Sequence, residues 1–572
     1  MQTFLYLLGV FVAVYACVTL LVRHKSLRRV RGPPLPSFLL GHFQPLLPIF
    51  IFLSGHEWVI RNRENIGDLE MAWYQQYGGA YRVGGCFGMT YSFFYFGNEK
   101  LSQDVLIISD PKALQYVFHT SGYRYPKSPE EDRFTGIMLG PGVGTVAGEI
   151  HQRQRKILGP AFSTSQLRQF LIVFQSAASK VGIELQPRNS DRLIAISFVL
   201  DIFEWTTKTS LDVIGKTSFR YEFNAMDAMD RQQTELESAL HNMLGESQMW
   251  PSSLELLYLS LWRLLPDWGL SLLQRISTRG TRRLVRFRTT ARKAAQQLFA
   301  KQISVLADSD IPSEKNIINV LGMLRSLSHL TEGPKKKMTE EEIYAQFATF
   351  IMAGHDTTAL TTAWVLYELA RNPRDQAAIR AEIQQAKANN SRPLSSNAYN
   401  SMPTLNAAIK ETLRLLPLNH VLHRISGKDD IIPLGEPITT TDGRIVHEVR
   451  VSKGQIVTAS VYTYNRLPSV WGDDAEQWNP QRFLRQRETE QVSLGVFSNL
   501  MSFSEPLFVF RITIMEIQAL ITELLGAFEF GLPEEDFVML QSPGHRAVFP
   551  LVQGRIHEGV QIPLRVSVFK SE

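Results

Sequence analysis

MTEEEIYAQFATFIMAGHDTTALTTAWVLYELARNP, Met338 to Pro373, is the stretch whose reading decides the fold of this chain. Thr339 followed by Glu342 makes a capping box, Ile343, Phe347, Phe350, Ile351, Leu366 and Leu369 recur at helical spacing, and Asn372-Pro373 stops the run. The pattern predicts one helix on the order of 50 Å long, at about 1.5 Å per residue, which would cross a large domain through its interior. Inside it stand Ala353-Gly354-His355-Asp356-Thr357-Thr358. Glycine in such a place costs roughly 1 kcal/mol against alanine, and Asp and Thr side chains compete for the helix's own hydrogen bonds. On these six residues alone two readings stay open: a kinked core helix with a satisfied polar patch, or a buried helix that lines a site.

The surrounding chain has 572 residues, 44% of them hydrophobic, enough for a large core. No repeat of solenoid period is visible and no Gly/Ser or Pro linker divides the interior, so one large domain of catalytic size is expected. The net charge is +5 and the pI about 9.0. Most of that excess sits in an N-terminal cluster, so no nucleic-acid partner is expected. Cys17 and Cys86 are the only cysteines. They form neither a disulfide framework nor a metal-ligand spacing, which suits a reducing compartment.

From Gln2 to Val22 no side chain is charged, and most are Leu, Val, Phe, Tyr or Ala. About 20 such residues span a bilayer as a helix, so residues 1–22 read as a transmembrane anchor. Arg23, Lys25, Arg28, Arg29 and Arg31 follow the run, and by the positive-inside rule the rest of the chain stays cytoplasmic. A cleaved signal peptide would carry its positive charge before the apolar run instead. Gly32-Pro33-Pro34-Leu35-Pro36 cannot continue a helix, so residues 23–44 read as a basic, proline-rich hinge before a domain at 45–572.

Beyond the hinge, strand-like runs at Tyr81 to Gly84 and Val105 to Ser109 alternate with helical patterns, and residues 150–420 read as overwhelmingly helical. The expectation is a mainly α fold with a small β-rich subdomain. Pro45 to Trp58 and Met89 to Gln103, with Phe93-Phe94-Tyr95-Phe96, interrupt these patterns as membrane-facing patches or core. Glu411 and Arg414 lie on one helix face, and Arg482 in Asn479-Pro480-Gln481-Arg482-Phe483 can complete a buried Arg-Glu-Arg network.

Taken together, the apolar anchor, the proline hinge, Ala353-Gly354-His355-Asp356-Thr357-Thr358, Glu411-Thr412-Leu413-Arg414 and Asn479-Pro480-Gln481-Arg482-Phe483 resemble the microsomal cytochrome P450 family, in a fungal type, over nearly the full length. The resemblance implies a P450-like fold behind an N-terminal transmembrane helix in the endoplasmic reticulum membrane, single-pass. It further implies heme (iron protoporphyrin IX) beside the long helix, electrons from NADPH-cytochrome P450 reductase, and a lipophilic small-molecule substrate such as a terpenoid or other secondary-metabolite intermediate. By the same resemblance Asp356 and Thr357 relay protons, Gly354 lets the helix open for oxygen and water, and Glu411, Arg414 and Arg482 form the structural triad. His151 and Arg155 match the segment that holds a heme propionate, with Arg424 a second candidate. Tyr123 to Pro126 with Phe347 and Phe350 are expected to line an apolar pocket, and Arg153 and Lys156 to face an acidic reductase surface.

One departure is serious. The family carries its iron-ligating cysteine in a loop Phe-x-x-Gly-x-Arg-x-Cys-x-Gly, but after Phe503 this chain reads Ser504-Glu505-Pro506-Leu507-Phe508-Val509-Phe510-Arg511. The stretch is shorter than the motif and has neither cysteine nor glycine. A thiolate favours O–O cleavage and needs backbone hydrogen bonds from such a loop, so monooxygenase chemistry is not expected of the chain as written. Two explanations stand: a loop lost at a misplaced splice boundary, with Pro45 to Trp58 and Met89 to Gln103 as translated intron, or a pseudoenzyme that binds at most an apolar ligand or a partner. The intact relay pair, triad and arginines favour the first. Isomerisation or dehydration chemistry does not need Asp356-Thr357, which counts against it.

Overall fold

The computed structural model describes residues 27–34, 60, 63, 65–84, 104–185, 197–227, 234–243, 258, 278–307, 337–390, 393–485, 494–495, 497–503, 509–543 and 548–569. The expected anchor at 1–22, the segments 45–58 and 89–103, both cysteines and residues 504–508 lie outside these. Among the described residues no helix is long and apolar enough to cross a membrane.

Labelled in chain order, the elements used below begin with α1 (Asp68–Tyr77), β1 (Ala80–Val83), β2 (Val105–Ile108), α2 (Gly148–Leu158), α3 (Thr164–Glu184), β3 (Ser197–Asp201) and α4 (Ile202–Ile214). Then come α5 (Glu235–Met243), α6 (Arg279–Ala307), α7 (Glu340–Arg371), α8 (Pro373–Asn389), α9 (Pro403–Leu415), β4 (Val421–Ile425), β5 (Asp430–Thr439), β6 (Ile445–Val451) and β7 (Ile456–Ser460). The chain closes with α10 (Val509–Ala527), β8 (Phe528–Gly531), β9 (Met539–Pro543), β10 (Val548–Val552) and β11 (Pro563–Val568). The architecture is mostly helical, and its strands form small separate sheets.

Residues 32 in number, α7 is the expected long helix, and it runs through Gly354 without interruption. Its start is fixed locally: Glu342 N–H donates to Thr339 Oγ1 at 3.2 Å, and Thr339 N–H donates to Glu342 Oε2 at 2.8 Å. Three glutamates in the first turn favour the positive end of the helix dipole. Two apolar clusters share this helix. One surrounds its first half, joining Phe347 and Ile351 to Phe219, Leu284 and Phe287; the other takes its second half, from Ala363 to Ala370, with α9 and α10. The polar hexapeptide falls between them.

The four-stranded sheet has the order β1-β2-β7-β4, with β2 and β7 parallel and the other pairs antiparallel. Both strand-like runs named from the sequence belong to it, paired with each other in register Ala80 to Ile108. β3, β11 and β8 form a three-stranded sheet, so the helical stretch expected over 150–420 is broken at Ser197–Asp201 by a strand that pairs with residues more than 360 positions away. Its apolar and polar residues gave no period that distinguishes an edge strand from a helix end.

Candidate active site

The Glu411 cluster is the most completely built part of the site. On α9, Arg414 donates from Nε and Nη2 to the two oxygens of Glu411, each at 2.8 Å, a bidentate pair with both side chains fully buried. Arg482 donates from Nε to Glu411 Oε1 at 2.9 Å, and Asn479 N–H donates to the same oxygen at 2.8 Å. The remaining guanidinium hydrogens are used as well: Arg414 Nη1 reaches the carbonyls of Asn465 and Ala475, each at 2.5 Å, and Arg482 pairs with Asp474 at 2.9 Å. Burial pulls the Arg414 guanidinium down from its usual value while Glu411 pushes it back up. Every charge is therefore answered, which a buried network requires. It ties α9 to the turns at 471–483, and α9 also receives a hydrogen bond from the described stretch before α10.

That segment is pinned at both flanks. Ser502 Oγ donates to Leu413 O at 2.7 Å, and the rings of Phe497 and Phe510 lie 6.1 Å apart. The turn before it is tight: a Cβ on Gly495 would lie 2.1 Å from Leu500 O, so only glycine fits. Residues 504–508, where the sequence lacks the expected cysteine, lie between these pinned flanks and outside the described residues.

Along α7, Met352, Ala353, Asp356 and Thr357 are half-buried and share one face, while Ile351, His355, Thr358 and Ala359 are buried. Four accessible positions in the middle of a core helix mark a face that is not packed shut. Thr357 Oγ1 donates to Ala353 O at 2.6 Å, so the hydroxyl is held on the helix by its own preceding turn. His355 Nδ1 lies 2.7 Å from Asp356 Oδ1 without the alignment of a hydrogen bond. Gly354 meets α4: a Cβ there would fall 2.6 Å from Ile214 Cδ1 and 3.0 Å from Ile214 Cγ1. Packing against Ile214 thus also favours a small residue at 354, where α7 runs on as α-helix.

On α2, His151 and Arg155 are four residues apart and half-buried. Their neighbours decide how that helix sits. Gln154, fully buried, donates to Pro141 O at 3.0 Å and Glu342 Oε1 at 3.2 Å, and it accepts from Gln346 Nε2 at 2.9 Å. Arg153 donates to Glu342 and to Lys337 O, the latter at 2.6 Å. Val143 N–H completes the clamp by donating to Gln346 Oε1 at 3.0 Å. The start of α7 is thereby locked to α2. Arg153 is committed to this clamp, which corrects the expectation that it faces a partner, whereas Lys156 is exposed. Arg424, buried on β4, donates to His423 O at 2.8 Å and holds its guanidinium 4.8 Å over the Phe118 ring.

The expected apolar lining is a correction. Tyr123 is 91% exposed, and Tyr125 is buried with its hydroxyl 3.3 Å from Asp430 Oδ2. Phe347 and Phe350 are core residues, with ring centroids 4.4 Å from Phe219 and 5.6 Å from Phe162 in tilted contacts. Aromatic residues at helical spacing had a core use here that the sequence does not separate from a pocket use. Two groups were given no role from the sequence: the Gln154–Gln346 pair, and Glu516 on α10, whose carboxyl Oε1 accepts from Ser210 Oγ at 3.0 Å. Glutamine on an otherwise apolar helix stripe was the available signal for the first. For the second, similarity to the family resumes at Arg511 to Leu520 with Glu516 in place, but nothing local points to its partner, which lies 306 positions away.

Comparison with known proteins gives the family. The cytochrome P450 family matches residues 94–504. Cytochrome P450 monooxygenase 128 of Postia placenta is 30% identical over 558 residues, covering 96% of this chain and 94% of that protein. Cytochrome P450 monooxygenase 205 of the same fungus is 28% identical, covering 98% and 96%. A ganoderic acid synthetase of Ganoderma lucidum is 30% identical over 547 residues, covering 92% and 93%. The family implies heme, and the residues present answer only part of that need. His151, Arg155 and Arg424 are the expected propionate contacts, but the stretch between Phe503 and Arg511 has no cysteine, and among the described residues no cluster of His, Cys, Asp or Glu could hold a metal. As written, the donor set does not fit a thiolate-ligated iron. In family and scaffold, nonetheless, the chain belongs to the cytochrome P450s.

Proposed function

We propose that this scaffold is that of a membrane-anchored monooxygenase acting on a lipophilic small molecule of terpenoid or similar secondary-metabolite type, with electrons from NADPH-cytochrome P450 reductase, and that the sequence as written lacks the loop needed for that activity. The observation that carries the reading is the open face of α7: Asp356 and Thr357 are half-buried on a helix whose flanking turns are closed. An adjacent carboxylate and hydroxyl on a half-buried face of a core helix are a means of moving protons. The likeness to a ganoderic acid synthetase supports a lipophilic substrate class. The apolar run at 2–22 and the basic residues after it support an anchor in the endoplasmic reticulum membrane with the domain on the cytoplasmic side.

A spectrum tests this directly. The dithionite-reduced, CO-treated protein is compared as the chain stands and with a glycine-rich Cys loop restored between Phe503 and Arg511. The expected outcome is a thiolate-heme band only in the restored form. No band in either form, with both folded, would refute the monooxygenase reading and leave a heme-free scaffold that binds an apolar ligand or a partner. A band from the chain as written would mean that another sulfur reaches the iron.

A further inference from the structure

Next to Asp356 on α7 stands His355, which is 5% exposed and whose Nδ1 makes no hydrogen bond. The threonines of the same helix are satisfied locally: Thr349, Thr357, Thr361 and Thr362 each donate to the carbonyl four residues back, at 2.6–2.8 Å. His355 Nδ1 has taken no such partner. A buried polar atom left unpaired carries the full penalty of losing its water. Yet a partner is within reach, since Asp356 Oδ1 lies 2.7 Å away.

That separation is hydrogen-bond length, and two bare lone pairs would repel there, so one of the two atoms carries a proton. Imidazole binds a proton more tightly than a carboxylate does, which puts it on Nδ1. Only the direction is missing. The outer torsions of His and Asp are both broad, so turning either group into line costs little. The two side chains also stand on different sides of the helix: His355 is buried, whereas Asp356 belongs to the half-buried face. We infer that His355 is a positioning residue for Asp356: its Nδ1–H donates to Oδ1, fixing the direction of the carboxylate and leaving Oδ2 for the open face. A proton carrier held in this way acts from one place, because its rotamer is locked by a buried neighbour. The same bond fixes which ring nitrogen of His355 is protonated. The inference rests on the proposed function only for the use made of that carboxylate; the contact itself does not depend on it.

The test needs no heme. The full chain, carrying isotope-labelled histidine and held in lipid bilayers, is studied by solid-state nitrogen NMR, which separates protonated from bare ring nitrogens. The expected result is a protonated Nδ1 resonance that is lost in His355→Gln and shifted or lost in Asp356→Ala. Thr357→Ala, a truncation at the next position, should leave that resonance in place. If His355→Gln misfolds by circular dichroism, Asp356→Ala still decides, because it keeps all 13 imidazoles. A spectrum unchanged by Asp356→Ala overturns the inference, and so does a bare Nδ1 at His355 in the parent chain. An equal shift in Asp356→Ala and Thr357→Ala would mean local repacking and would overturn it as well. Failure of the CO spectrum in the chain with its loop restored would remove the use of the carboxylate and not the His355–Asp356 bond, which the NMR decides alone.

Discussion

Glu516→Gln is the perturbation whose size the structure sets most directly. Glu516 is 3% exposed on α10, and its described partner is the Ser210 hydroxyl at 3.0 Å. Burial pushes its carboxyl up to about 8 from an ordinary 4.5, with the Ser210 hydrogen bond pulling the other way. Between those two values the folded protein holds a proton that the unfolded chain has released. Folded protein therefore binds more protons across this window, and stability falls as pH rises from about 4.5 to about 8. A gap of that width corresponds to at most about 5 kcal/mol, at about 1.4 kcal/mol per pH unit. Glutamine keeps a hydrogen-bonding group toward Ser210 and never ionises. The variant and parent should match near pH 4.5, and the variant should become progressively more stable toward pH 8. Thermal unfolding of both proteins at several pH values checks this, with the difference in Tm as the readout, since other titrating groups cancel. A difference that does not change with pH would refute the assignment of a neutral, buried Glu516, and a variant less stable at pH 8 would reverse it.

Two further outcomes follow from the same packing. Gly354→Ala should cost about 1–3 kcal/mol through overpacking against Ile214, and Ile214→Val, which removes the Cδ1 atom 2.6 Å from the new methyl, should recover most of it; failure of that rescue in thermal unfolding would show that glycine serves something other than the α4–α7 contact. Gln346→Leu should destabilise by about 1–3 kcal/mol, because it leaves Val143 N–H and Gln154 Oε1 without their described partner, and proteolysis should first cut near residues 140–147; an unchanged melting temperature would count against the clamp.

The long helix could be read in the sequence because everything that makes it is local. Its capping box, its apolar spacing and its proline stop lie within one segment, and backbone hydrogen bonding acts over four residues. Glu411 and Arg414 were legible for the same reason, being one turn apart. Arg482 needed the family resemblance, since nothing in its own segment says that it meets Glu411 across 71 positions. The absence of a cysteine between Phe503 and Arg511 is also a fact of sequence alone, and no folding can supply it.

Tertiary structure decided the rest, wherever the partner is far along the chain. Arg153 reads as a free surface cation until Glu342 is brought to it. Phe347 and Phe350 read as pocket or core until Phe219 and Phe162 cover them. Gly354 reads as a weak point until Ile214 fills the space beside it. Glu516 is an ordinary acid in the sequence and a neutral one in the fold, because only burial removes the water that would ionise it. Local pattern fixes which segments become helix and where they stop; which face is closed and which charge is answered depend on contacts between segments that the chain brings together only by folding.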